Sequence, residues 1–140
     1  MEVRDLFESM EYGKAPESQE RAHDWLTRRE GMLDHFIGGE WVTPAGGEYF
    51  PTKNPSTGDL LASVADGNDA DVKQAVAAAA DALEGWVAIG GEGRARYLYA
   101  MARHIQKNGR LFSVLESMDN GKPIRESRDV DIPLVVRHFY

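Results

Sequence analysis

The chain has 140 residues, of which 42% are hydrophobic and 28% charged, an ordinary globular composition and one domain's worth of length. A net charge of −7 and a pI near 5.1 argue against a nucleic-acid partner, and no apolar run approaches the roughly eighteen residues that a membrane span needs. The first residues, Met1-Glu2-Val3-Arg4-Asp5-Leu6-Phe7, lack the basic-then-apolar pattern of a secretory signal, and the absence of cysteine excludes disulfides and thiolate metal sites, as expected of a cytoplasmic protein.

Residues 1–34 are polar with a helical pattern and read as a helical leader. Leu6, Phe7 and Met10 form a short stripe, Tyr12 to Pro16 breaks it, and Pro16 and Glu17 open a second helix with Ala22, Trp25 and Leu26 on one face. Residues 35–66 read as strands and hairpins. His35–Ile37 and Glu40–Val42 flank Gly38-Gly39, two residues that accept the positive φ of a tight turn. Glu48 to Lys53 is a further extended run, Asn54-Pro55-Ser56-Thr57-Gly58 is a turn, and Leu60 to Val64 returns as a strand.

Residues 67–140 read as a helical layer. Asn68 or Asp69 caps the first helix, whose stripe of Val72, Ala75, Val76, Ala79, Ala80 and Leu83 suits close helix packing. Gly85 is expected to end it, with Trp86 folded back, and Gly90-Gly91-Glu92-Gly93 to be a linker. Arg94 to Lys107 is the second helix, with Leu98, Met101, Ala102 and Ile105 inward and Arg94, Arg96, Arg103 and Lys107 outward. Arg110 to Asp119 is the third. Asn120-Gly121 caps it and Pro123 forbids simple continuation. Ile124 to Asp129 is charged and helix-compatible, Asp131 is a candidate cap, and Pro133 opens a fresh helix that runs apolar to Tyr140. That uncapped apolar end is expected to mark a truncation point.

Read on residue chemistry alone, the chain is nearly silent on catalysis. His23, His35, His104 and His138 are scattered without metal-ligand spacing, and no serine or threonine sits in a nucleophile-elbow motif. The glycines do not form a phosphate loop, since neither Gly-x-Gly-x-x-Gly between strand and helix nor Gly-Lys-Ser/Thr occurs. Asp69/Asp71 and Asp129/Asp131 read as caps and solvated faces.

Four stretches carry a resemblance. Glu116-Ser117-Met118-Asp119-Asn120-Gly121-Lys122-Pro123 resembles the helix-end motif of aldehyde dehydrogenases. Phe36-Ile37-Gly38-Gly39-Glu40-Trp41 and Asn54-Pro55-Ser56-Thr57-Gly58 resemble the opening strands of that family. Leu6-Phe7-Glu8-Ser9-Met10-Glu11-Tyr12-Gly13-Lys14-Ala15-Pro16-Glu17-Ser18 is similar to the leader of the family-sixteen branch. The resemblance implies an α/β fold, the N-terminal portion of a Rossmann-type NAD(P)-binding domain, with strands followed by a layer of helices. It implies oxidation of a small aldehyde to a carboxylic acid by a cysteine thiolate acting with NAD or NADP, all supplied downstream of Tyr140, in an enzyme that forms a homo-oligomer such as a dimer. The 140-residue chain alone is therefore expected to be inactive. A non-catalytic scaffold of the same branch is the alternative.

The resemblance also places two secondary sites. A structural sodium or potassium ion would lie between the carboxylate of Asp119 and the backbone carbonyl of Lys53, oxygen donors suited to a hard cation. Lys53 carries its own positive charge, so its ammonium must point away. Leu134 and His138 match positions on the helix that lines the substrate tunnel.

Overall fold

The computed structural model describes residues 17–140. The leader stripe of Leu6, Phe7 and Met10 and the break at Tyr12–Pro16 lie outside the described residues. The architecture is mixed α/β, with strands in the first half and helices in the second.

Helix α1 (Glu20–Thr27) begins a few residues later than the sequence suggests, because the Ser18 hydroxyl accepts from the Glu20 amide and fixes the start there. Ala22 and Leu26 are buried on its inner face, as the spacing predicts. The chain then turns through Glu30 and Gly31, both at positive φ, into the two-residue strand β1 (Met32–Leu33). Strands β2 (His35–Ile37) and β3 (Glu40–Val42) form the expected antiparallel hairpin, with Phe36 opposite Trp41. Gly38 and Gly39 sit at φ 62° and 90°, the conformation that makes a two-residue turn match strand twist.

Strands β4 (Tyr49–Lys53) and β5 (Leu60–Ala65) build a second sheet in the order β1-β5-β4, antiparallel between β4 and β5 and parallel between β1 and β5. Pro51 is tolerated because β4 is an edge strand. A register shift interrupts the β4–β5 pairing between Thr52 and Lys53. The connecting turn is closed by buried Asn54, whose carbonyl accepts from the amides of Thr57 and Gly58 and whose side-chain Oδ1 accepts from the amide and hydroxyl of Ser56.

Helix α2 (Asp69–Ala88) is capped by Asn68, whose Oδ1 accepts from the Ala70 amide at 2.8 Å. Two readings of this region are corrected. Gly85 does not end the helix, and Gly90-Gly91-Glu92-Gly93 is not a linker: helix α3 (Gly90–Lys107) begins at once. A single residue, Gly90 at φ 71°, reverses the chain. Arg94, expected outward, reaches back across this corner to the last-turn carbonyls of Trp86 and Val87. Trp86 is helical and packs on Tyr97 of α3 with ring centroids 5.8 Å apart. The α2 stripe is exposed: Val72, Val76 and Leu83 are 57–63% accessible, and no element among the described residues covers them. On α3, Ala102 is fully buried whereas Met101 is exposed.

Helix α4 (Gly109–Asn120) ends at Gly121, which adopts φ 78° as its left-handed cap. Ala22 of α1 and Val114 and Met118 of α4 form the core, with Leu61, Leu111, Leu115 and Ile124 packed around it. The chain then runs through α5 (Ile124–Glu126), a π-helical turn (Ser127–Asp131) and α6 (Ile132–His138) without leaving helical conformation. Asp131 does not cap α6; its carboxylate accepts from the Lys122 ammonium instead. The wide turn accommodates Pro133, which has no amide to donate and whose ring would clash in a regular α-helix.

Candidate functional site

The two sequence motifs at the ends of β4 and α4 meet. At the register shift between Thr52 and Lys53, the Thr52 hydroxyl donates to Asp119 Oδ1, across 67 positions of chain. One turn further, Pro55 lies against Gly121: a Cβ built on Gly121 would stand 2.8 Å from Pro55 Cγ. The Asn-Pro turn and the helix cap thus fit only because residue 121 has no side chain. Of the two predicted cation ligands, Asp119 sits on this junction with an exposed carboxylate, and Lys53 is the strand residue next to its partner Thr52. The contact that joins the two motifs here is the Thr52 hydroxyl on the Asp119 carboxylate. Among the described residues no group of three or more His, Cys, Asp or Glu gathers for a transition metal. A cavity of about 310 Å³ opens beside Asp119, walled by Trp25, Leu26, Leu61 and Phe112.

Beyond the cap, the Asn120 side chain accepts from the Lys122 amide at 2.8 Å and donates to Glu116, which fixes the exit of the chain. Lys122 then reaches Asp131, so the helix-end motif is bolted to the start of α6. This pairing raises the Lys122 pKa, with the hydrogen bond to Asp131 the main cause. Leu134 and His138 lie one turn apart on α6, and both are exposed. His138 Nδ1 is 2.8 Å from the Leu134 carbonyl, which can only accept, so Nδ1 carries the proton and Nε2 is the outward atom. The groove of about 570 Å³ beside α6 is lined from its other face, by Ile132, Pro133, Val136 and Arg137. Leu134 and His138 are therefore together, away from that groove and separate from the Asp119 junction.

Two linkages escape a reading of the sequence. Asp71, placed there among caps and solvated faces, is 4% accessible and accepts from the amides of Asn68 and Ala45, each at 2.9 Å. These two donors, Asn68 first, hold its carboxyl below the usual carboxylate range against the opposing effect of burial; His35, 3.8 Å away, adds to the lowering. Only the first bond is foreshadowed, by the Asn68-x-x-Asp71 spacing of a capping box. Arg29 is the other: its guanidinium lies 4.7 Å from the Trp25 ring and 4.1 Å from that of Trp41, pinning α1 to the hairpin.

Gly90, Gly91 and Gly93 form the first turn of α3, which follows helix α2 directly, so they do not make the strand-to-helix glycine turn of a dinucleotide site. No helix of the described residues is long and apolar enough to cross a membrane.

A family model described as the aldehyde dehydrogenase family matches residues 41–140. The chain is similar to aldehyde dehydrogenase B of Escherichia coli (strain K12), with 42% identity over 110 residues, which cover 79% of this chain and 22% of that protein. It is similar to acetaldehyde dehydrogenase 2 of Cupriavidus necator, with 43% identity over 108 residues, covering 77% of this chain and 21% of that protein. Among solved structures, the NAD+ complex of an aldehyde dehydrogenase from Bacillus cereus matches with a TM-score of 0.79 and 32% identity over 93% of this chain and 26% of that one. The chain thus spans about a fifth of the length of the curated relatives it matches.

Proposed function

The chain belongs to the aldehyde dehydrogenase family, and on that premise we propose that it is the N-terminal segment of an NAD(P)-dependent enzyme that oxidises an aldehyde to a carboxylic acid. The observation that carries the reading is the convergence of two family-like motifs, Asn54 to Gly58 and Asp119 to Pro123, on one packed junction. The chain has no cysteine, so the nucleophilic thiolate comes from a segment downstream of Tyr140. NAD or NADP, bound by that segment, supplies the hydride acceptor. What residues 17–140 contribute is a support for that domain and a placed α6. In this reading the exposed apolar stripe of α2 belongs to the layer that packs on the nucleotide-binding domain.

Finer assignments follow from the same reading. The leader motif Leu6 to Ser18 supports the family-sixteen branch, with residues 1–34 as leader, 35–66 as hairpin strands and 67–140 as the helical layer of the NAD-binding domain. Asp119 and the Lys53 carbonyl hold a structural sodium or potassium ion, supported by the Thr52–Asp119 bond that brings the two backbones together. Leu134 and His138 face the aldehyde in its tunnel. The working enzyme is a cytoplasmic homodimer.

The test compares the complete reading frame with residues 1–140 alone. The complete enzyme is expected to reduce NAD or NADP with an aldehyde, and residues 1–140 are expected to reduce neither. Reduction by the short chain would refute the proposal. An inactive complete protein with no cysteine downstream would favour the scaffold instead.

A further inference from the structure

The π-helical turn Ser127–Asp131 decides which face α6 presents. The Ile132 amide donates to the Ser127 carbonyl five residues back, so the turn holds one residue more than an α-helical turn. Relaxing it to regular helix would rotate everything after it by roughly 100°, the angle of one residue in 3.6. Whatever grips this turn therefore sets the direction of Leu134 and His138.

Three contacts grip it. Ser127, fully buried, meets the Ser117 hydroxyl of α4 at 3.1 Å. Asp131 takes the Lys122 ammonium. Both partners lie within ten residues of the turn. The third contact comes from 111 positions away: Arg128 Nη1 donates to Glu17 Oε1 at 2.8 Å. Arg128 is itself forked onto the turn, through Nε and Nη2 to the two carboxylate oxygens of Asp129 at 2.6 and 2.8 Å. The guanidinium is thus fixed to the turn on one side and to the segment before α1 on the other. The Glu17 side chain is 11% accessible, so the pair is sheltered on the carboxylate side. Arg128 holds the Glu17 carboxyl below the usual carboxylate range.

We infer that Glu17 is a positioning residue for the substrate helix: by holding Arg128 on the π-helical turn, it fixes the rotation of α6 and with it the placement of Leu134 and His138. The effect on substrate rests on the proposed reading of α6 as a tunnel helix. The coupling between Glu17 and α6 does not.

The experiment uses the full-length enzyme and the variants E17Q, R128M and E17Q/R128M, with two readouts. Hydrogen exchange reports residues 132–138 directly, and steady-state kinetics with decanal reports the tunnel. E17Q is expected to speed exchange in residues 132–138 by about two- to fivefold, a range set by a partly exposed ion pair. Exchange in β4 and β5 is expected to stay unchanged. The KM for decanal should rise by a similar factor with kcat nearly constant, and E17Q should add nothing in the R128M background. Unchanged exchange in 132–138, an equal rise throughout β4 and β5, or additivity with R128M would each overturn the inference. Faster local exchange with an unchanged KM would uphold the positioning by Glu17 and refute the tunnel reading.

Discussion

Substituting Gly121 by alanine tests the junction at the centre of the proposal. Two penalties combine there. A β-carbon at φ 78° costs about 1–2 kcal/mol, the penalty of left-handed backbone for an ordinary residue. The same carbon would stand 2.8 Å from Pro55 Cγ, and a proline ring cannot swing aside as a flexible side chain would. Forcing it apart costs about 1–3 kcal/mol more, the usual range for overpacking. Gly58 supplies the control: it has φ 81° with nothing within 4 Å of its built Cβ, so Gly58→Ala carries the backbone penalty alone. Both alanines restrict the unfolded chain equally, and that contribution cancels in the comparison. Urea unfolding followed by tryptophan fluorescence, with a slope of about 2 kcal/mol per molar, should place the G121A midpoint about 0.5–1.5 M below that of G58A. Pro55→Ala should remove most of this difference, leaving a coupling of about 1–2 kcal/mol between positions 55 and 121. Equal midpoints for G121A and G58A, or no coupling with P55A, would refute the close packing of the two motifs.

Asn54→Ala should cost about 1–2 kcal/mol in the same assay, because it strips the acceptor from the Ser56 amide and hydroxyl inside a buried turn. Asp71 has a folded pKa below its unfolded value, so its contribution is complete above the unfolded value of about 3.9 and is lost as pH falls through it toward the folded one. Asp71→Asn should therefore flatten the acid limb of a stability–pH profile below about pH 5, and an unchanged limb would refute the role given to the Asn68 and Ala45 amides. In the full-length enzyme Leu134→Ala should lower kcat/KM for a long-chain aldehyde by about tenfold and leave acetaldehyde nearly unaffected; equal effects on both would remove Leu134 from the tunnel. Asp119→Ala should abolish any difference in melting temperature between potassium chloride and choline chloride, if wild type shows the shift expected of a bound cation.

The local devices of this fold were legible in the sequence. Gly38-Gly39, the Asn54–Gly58 turn, a cap at Asn68 or Asp69 and the Gly121 stop all follow from what one or two residues can do with their own φ angles and nearest amides. The same local reasoning failed at Gly85 and at Gly90 to Gly93. There a glycine permits a break without requiring one, and the packing of Trp86 on Tyr97 and of Ile89 on Gly93 keeps the backbone helical.

The candidate site shows the same division. The sequence by itself singled out Asp119 and the Asn-Pro turn as motifs. Only the tertiary structure decided that Thr52 meets Asp119, that Pro55 seats on Gly121, that β1 pairs in parallel with β5, and that Glu17 reaches Arg128. Each of those contacts joins residues about thirty to more than a hundred positions apart. Their energy arises only once the chain is closed into one shape, so no window of sequence contains both partners. Asp71 lies between the two cases: its spacing to Asn68 announces a cap, but its bond to Ala45 depends on where the loop after the hairpin comes to rest.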